Sequence, residues 1–478
     1  MEKVKMRTFL ILSIFLLFVT SCQERGYGTQ NIETIPGVLS SEPLTIKSTT
    51  PSQGSAIAQR AYISVVFSTT LDPSTVTTRS IHLKSNNQTI KIELTVVNNL
   101  LYIRPDNTLK DQATYTLTID QSITDFFGNT LKGSASTNYH CEKDFWKSVE
   151  AGKTHAMAQS KEGDIYMWGS NIKNSLLVDP ILYSVDMPFP ITEQKNSKNY
   201  NAGGHTSAIV TSESDLVTAG AFRPAGTLSA IKTVSLGETH GVLVYDNRTL
   251  YSWGSNDRGE LGNFGISAGS TLVLEYSESE DWDSVSAGSN FSLAIKENDT
   301  LWGWGANDEG QLGIEVLNER RRPTQEDTNS KNWIAVSSGT KHALGLQKDG
   351  SLWSWGNNDS GTLGHGDNNN RRKAEKISGT SIWTLISAGA NHSLAIDNNG
   401  TLWAWGSNQH GQLGLNNTIN QNIPVQVDSN LSWVSVSAGD RFSIGVKSDG
   451  TLWSWGYNFY DQLGLGQTDD LLVPTEIK

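Results

Sequence analysis

From residue 145 to the C-terminus, apolar and polar residues alternate in short runs separated by glycine-bearing turns, the pattern of brief β-strands. The run WVSVSAG (433–439) predicts one strand ending in an Ala-Gly turn, and FSIGVKS (442–448) predicts a second. Asp449-Gly450 follows, and the same kind of pair stands at Asp349-Gly350 and Asn399-Gly400. Such Asx-Gly pairs predict two-residue hairpins. TLWSWG (451–456) is a third strand, leading into a glycine-bounded loop that reads NxxGQLG in its fullest form. IPVQV (423–427) is a fourth short strand, placed before the next copy begins.

The unit recurs seven times. Its anchor glycine falls at Gly152, Gly203, Gly237, Gly288, Gly339, Gly389 and Gly439, at intervals of 51, 34, 51, 51, 50 and 50 residues. A second glycine follows each anchor by 17 residues, and Trp precedes it in six of the seven copies. The exception is Leu216-Val217-Thr218-Ala219-Gly220. It also lacks the GQLG loop, which explains the 34-residue interval and predicts a thin blade. A period near 50 with four strands per unit predicts a seven-bladed β-propeller over residues 145–478. LLVPTEIK (471–478) matches the strand that precedes a repeat, and the first copy, FWKSVEAG (145–152), has no such strand. We therefore expect Val473–Ile477 to join the first blade's sheet, closing the ring and removing an exposed edge.

Residues 42–141 alternate differently. AYISVVFS (61–68), SIHLKS (80–85), TIKIELTVV (89–97), NLLYIRP (99–105) and TYTLTID (114–120) predict β-branched strands at sandwich spacing. Residues 1–21 stand outside both patterns. Lys3, Lys5 and Arg7 precede FLILSIFLLFVT (9–20), an apolar run short of the roughly 20 residues of a membrane span. Residues 22–41 are polar and unpatterned and read as a flexible tether.

Charge and cysteine narrow the function classes. The formal charge is −12, and the basic leader makes the remainder more acidic still. Broad nucleic-acid binding and a polybasic grip on anionic lipid are both disfavoured. The chain has two cysteines, Cys22 and Cys141. With Cys22 modified, Cys141 has no partner for an internal disulfide. It is expected as a buried inert thiol, with a reactive thiol as the alternative.

Three resemblances follow from these residues. Val19-Thr20-Ser21-Cys22 resembles the bacterial lipobox. That resemblance implies cleavage before Cys22, acylation there, and an anchored mature chain; an ordinary secretory signal is the alternative. Gln23 stands where Asp commonly marks inner-membrane retention in some bacteria, which favours the outer membrane. The segments TTPSQGS (49–55), VVFSTTLDPSTV (65–76), YIRPDNTLKDQATYTLTI (102–119) and TDFFGNTL (124–131) resemble bacterial Ig-like domains, which serve as spacers or adhesive units. Asp125, Gly128 and Asn129 would be turn formers there. The AGxxHS, DGTLWSWG and NxxGQLG segments, recurring in register, resemble the repeat of the regulator of chromosome condensation family, which forms seven-bladed propellers. The fold class is thus all-β: a seven-bladed β-propeller with an N-terminal Ig-like β-sandwich.

Few residues carry chemistry. Trp168, Trp253, Trp304, Trp355, Trp405 and Trp455 could form a sugar-binding stripe, but their regular spacing reads as blade packing. His155, His205, His240, His342 and His392 recur like a metal ring. The other two copies carry Phe291 and Phe442, and a position that exchanges His with Phe fills space. No HExxH, EF-hand or Walker motif is present, and we expect no catalytic residues, no metal and no cofactor. Departures from the repeat are the binding candidates, since the framework does not require them. Tyr457, Phe459 and Tyr460 occupy the last NxxGQLG loop, and Phe264 follows the equivalent loop of the third copy. Arg320, Arg321 and Arg322 share an offset with Arg371, Arg372 and Lys373 one repeat later, predicting a basic patch for an acidic glycan, lipid headgroup or protein. Ordinary solvated loops are the alternative for both sets.

The expected function is a lipid-anchored cell-envelope binding or scaffold protein, monomeric, that presents a propeller face to a protein or glycan. A polysaccharide-acting enzyme at the central funnel is the rival, and it requires acidic or His side chains meeting at one mouth. The family resemblance also implies guanine-nucleotide exchange, β-lactamase inhibition or protein docking. A secreted chain would not meet a cytosolic GTPase, which weighs against exchange.

Overall fold

The computed structural model describes residues 42–477 except 60, 143–144, 178–182, 192–196, 266–268 and 429–431. The leader, Cys22 and the tether expected over residues 1–41 lie outside the described residues.

The first module is a sandwich. Strands Ile46–Thr50, Ile63–Phe67, Leu100–Pro105 and Ile92–Val97 form one sheet. Ala56–Ile57, Ala135–Cys141, Thr114–Ile119, Ile81–Ser85 and Gln88–Ile90 form the other. The single run expected at 89–97 splits at Lys91 and serves both sheets. Alternate residues such as Val65, Leu83, Leu101 and Leu117 are sealed between them. Cys141 is buried at the end of its strand, and burial pushes its thiol up to about 12, so it stays protonated and inert at neutral pH. The module is packed on the propeller. Tyr62 and Tyr102 lie 5.0 and 4.4 Å from the ring of Phe189, and Arg104 pairs with Asp186 at 3.4 Å.

The propeller has seven sheets, blades 1 to 7, spanning 146–190, 199–220, 231–274, 282–325, 333–376, 383–426 and 433–477. Six are four-stranded antiparallel sheets, and blade 2 has three strands, as its missing loop predicts. Within each full blade the strands run in chain order from the axis outward.

The ring does not close as expected. Leu471–Ile477 pairs with Leu452–Gly456 and is the outer strand of blade 7, while blade 1 has its own outer strand, Ser184–Pro190. The run before a repeat belongs to the preceding blade wherever that blade has four strands, so the last run had no reason to cross to blade 1. Blade 7 instead meets blade 1 as any other neighbours meet. Ala151 N–H donates to Ser437 Oγ at 2.9 Å, matching Ala438 to Ser387, Ala388 to Ser337 and Ala287 to Ser235.

Each anchor glycine explains itself. A Cβ on Gly339 would stand 2.4 Å from the carbonyl oxygen of Gly389, and one on Gly389 would stand 2.5 Å from that of Gly439. The same conflict runs round the ring, ending with Gly439 against Gly152 O at 2.8 Å. The blades approach so closely that only hydrogen fits.

The WG tryptophans bind neighbouring blades. Five are buried and donate Nε1–H to a carbonyl in the preceding blade's NxxGQLG loop: Trp168 to Gln462, Trp304 to Glu260, Trp355 to Gln311, Trp405 to Thr362 and Trp455 to Gln412, at 2.7–2.9 Å. Trp253 is equally buried, but its Nε1 has no acceptor, because blade 2 lacks that loop.

The histidines act between blades too. Nε2 of His155, His240, His342 and His392 lies 2.9–3.0 Å from Oγ of Ser207, Ser292, Ser393 and Ser443 in the next blade. Each serine gives its proton to a loop carbonyl, as Ser292 does to Glu260 O at 3.0 Å. The histidine must therefore be the donor, which fixes the Nε2–H tautomer. His205 does not belong to this set. Thr206 pairs with Gly220 as His155 pairs with Gly169, so the histidine of blade 2 sits one residue early.

Two stability predictions follow from these buried groups. Trp355→Phe should lower unfolding stability by about 1 kcal/mol more than Trp253→Phe, because only Trp355 loses a hydrogen bond. Equal losses in denaturant titrations would contradict this account. Burial holds His155 and His392 at about 3 and His240 and His342 at about 4, so the native state stays neutral there while the unfolded chain protonates near 6.5. Stability should therefore fall as pH drops from about 6.5 towards 4. The pair His240→Phe with Ser292→Ala should reduce that slope by about 1.4 kcal/mol per pH unit.

Candidate functional site: the loop face and channel mouth

One face of the propeller is built by a repeated turn. The residue after each second glycine donates its N–H to the carbonyl two places past the anchor: Tyr457 to Arg441, Asn357 to Lys341, Ala221 to His205. This places the NxxGQLG loops around the residues that ring the axis. The anchor glycines and the alanines before most of them line a channel of about 120 Å³. The wall is largely backbone and offers little reactive chemistry.

Non-repeating side chains stand at its mouth. Lys153 Nζ lies 2.5 Å from Glu238 Oε1, and Asp440 lines the same opening. Burial raises the Asp440 carboxyl above its ordinary value. Burial and then Lys153 lower His205. One further acid departs from the repeat. Glu150 takes the place held by Ser235, Ser286, Ser337, Ser387 and Ser437 in five other blades, and burial pushes its carboxyl up to about 8. Acids and a histidine thus do approach one mouth, which the enzyme reading requires. The first carboxylate there is already paired with Lys153. Among the described residues no group of three His, Cys, Asp or Glu side chains is arranged to hold a metal.

The structure gathers the last-loop aromatics into one patch. Tyr457 and Phe459 are nearly parallel at 6.4 Å, and Tyr460 meets Phe459 edge-on at 5.1 Å. Phe459 is 65 % exposed. His410 of blade 6 packs on Tyr457 at 4.7 Å and bonds Asp470 at 2.8 Å, and the Arg441 guanidinium lies 5.9 Å from the Tyr457 ring. Sequence reading missed His410 and Arg441. Both sit at offsets that vary freely between copies, and that variability was the available signal.

The two cation triplets do occupy equivalent outer strands: Arg320 pairs with Gly305 as Arg371 pairs with Gly356. Carboxylates answer three of the six cations. Arg321 pairs with Glu319, Arg371 with Asp367 and Glu375, and Lys373 with Glu315. Arg320 donates to the Asn318 carbonyl. Arg372 is exposed, and Arg322 lies 5.8 Å over Tyr276, whose ring neighbours the exposed Phe264 at 6.1 Å. The surface therefore mixes charges: three of the six cations of the expected basic patch are ion-paired, and an aromatic corner adjoins them.

A rigid ring with a backbone-lined axis and exposed aromatic loops defines a protein-interaction propeller. The chain belongs to the RCC1-like domain family, whose match covers residues 221–478; residues 40–141 match the bacterial Ig-like domain. Similar proteins include the E3 ubiquitin-protein ligase HERC2 of Homo sapiens, 31 % identical over 46 % of this chain but 5 % of the ligase. The ultraviolet-B receptor UVR8 of Arabidopsis thaliana is 28 % identical over 46 % of this chain and 55 % of the receptor. The chain therefore spans only part of these relatives. Among solved structures, yeast RCC1 (Prp20) bound to Kap60 aligns with a TM-score of 0.60 at 20 % identity, over 66 % of this chain and 83 % of that one. Prp20p from Saccharomyces cerevisiae aligns at 0.57 and 20 %, over 64 % and 84 %. These likenesses concern the fold.

Glu150→Gln tests the acid that replaces the repeat's serine. A raised carboxyl stabilises fully below about 4.5 and loses that contribution as pH rises through 8. The variant should gain on the native chain by about 2 kcal/mol between pH 5 and 8, a figure reduced because Glu150 is only partly buried. Parallel pH profiles of the two unfolding midpoints would refute the burial of this group.

Proposed function

We propose that this chain is a lipid-anchored envelope protein whose propeller binds a protein partner through the loop face of blades 6 and 7. The observation that carries the reading is the patch of Tyr457, Phe459 and Tyr460 with Arg441. Aromatic rings and arginine beside a polar rim are the composition of interface hot spots. The repeat does not require them, since equivalent loops fold with small or polar residues. Prp20p, described with its binding properties to Gsp1p and histones, is a propeller of similar fold that takes protein partners. Anchoring through Cys22, at the outer membrane, rests on the lipobox-like leader. The exchange-factor reading rests on family resemblance alone, and glycan binding is the second reading, supported by the same aromatic rings.

The test is affinity capture from envelope extract with the mature chain and with Tyr457→Ala/Phe459→Ala/Tyr460→Ala, after confirming equal unfolding midpoints. Loss of three hot-spot rings should weaken binding of the captured protein by about 30-fold or more. A partner held equally by both forms would overturn the assigned face. Capture of glycan alone would replace the protein reading.

A further inference from the structure

The Ig-like module carries an apolar tip that its fold does not need. Residues Asp125 to Gly128 form a tight turn closed by Gly128 N–H to Asp125 O at 3.0 Å. Its two corner residues are Phe126 and Phe127, 74 % and 59 % exposed. Turn corners ordinarily take Asn, Asp, Gly, Pro or Ser, and two adjacent phenylalanines there leave apolar surface in water. The turn is also held stiffly. Buried Asp125 accepts from Phe127 N and Asn129 N at 2.9 Å, from Asn129 Nδ2 at 3.0 Å and from Thr69 Oγ1 at 3.1 Å. The rings are thus presented on a rigid mount.

The chain enters the module beside this tip. Leu44 bridges Leu131 in parallel, with Leu44 N–H to Thr130 O at 3.1 Å and Lys132 N–H to Leu44 O at 2.9 Å. Leu44 is thereby held beside Thr130, two residues past the turn's Gly128, and the chain towards residue 22 leaves from this end of the module. Whatever holds residue 22 lies within about 70 Å of that end, the full reach of 20 residues. On the reading that Cys22 is acylated, the surface within that reach is a lipid bilayer.

We propose that Phe126 and Phe127 insert into the interfacial region of the membrane and set the orientation of the module on it. Two rings buried to the depth of the acyl boundary add a second contact to an anchor that alone fixes distance but not angle. The proposal rests on the anchored reading for its setting, but its test does not.

Residues 1–21 are replaced by a hexahistidine tag, and the chain is held on phosphatidylethanolamine–phosphatidylglycerol vesicles carrying nickel-chelating lipid. Phe126→Cys is labelled with an environment-sensitive fluorophore, with Cys22→Ser in the background; Cys141 is buried. A label at Phe459→Cys serves as the control. Quenchers on the acyl chains should dim the 126 label and leave the 459 label bright, and adding Phe127→Ser should cut quenching at 126 by roughly fivefold. A 126 label that stays solvent-exposed on vesicle-held protein overturns the proposal. Mass spectrometry of the natural chain's first peptide tests acylation of Cys22 separately.

Discussion

Seven backbones converge on one axis, and the closeness of that approach governs the rest of the propeller. Each anchor glycine faces the carbonyl oxygen of the next at a separation where a Cβ would collide. The same missing Cβ leaves room above the glycine for an aromatic or imidazole ring of its own blade, such as Phe291 or His342. Glycine, ring and neighbouring blade are thus one packing unit. A channel walled this way is largely backbone, and the side chains that vary between copies stand at its mouth and on the loops.

The strand count, the period and the thin second blade were legible because they follow from local turns and spacing, and local signals survive in a single sequence. Inter-blade partnerships were less visible. His155, His240, His342 and His392 each face a serine placed one position further along the next copy, whereas Phe291 and Phe442 face Ala343 and Ala156. That covariation is written in the chain, but it emerges only when successive copies are read in pairs. His205 was misplaced because motif similarity outweighed register; a one-residue slip in a strand sends the side chain to the opposite face. Tyr457, Phe459 and Tyr460 were found as exceptions to the repeat. Their companions His410, Arg441 and Asp470 come from segments of two blades, which only the ring brings together.

Charge illustrates the other boundary. Two cation triplets look like a basic patch in sequence, yet Glu319 pairs with Arg321, Asp367 and Glu375 with Arg371, and Glu315 with Lys373. Exposed pairs of this kind contribute little stability, but they cancel the field that would attract a polyanion. The aromatic surfaces, at Phe459 and at Phe264 with Tyr276, are left as the distinctive features of the rim.

Because blades 7 and 1 each keep their own outer strand, the ring has no latch at the junction between them. The junction between blades 7 and 1 carries the same Ser–backbone bond and the same tryptophan–loop bond as its neighbours. The junction between blades 2 and 3 lacks the tryptophan's acceptor, and Gly241 replaces the serine that receives a histidine elsewhere. Local opening concentrates where cohesion is least. The breathing point of this closed ring is thereby assigned to its second seam, far from either terminus, and a propeller with no mechanical end acquires a hinge by omission.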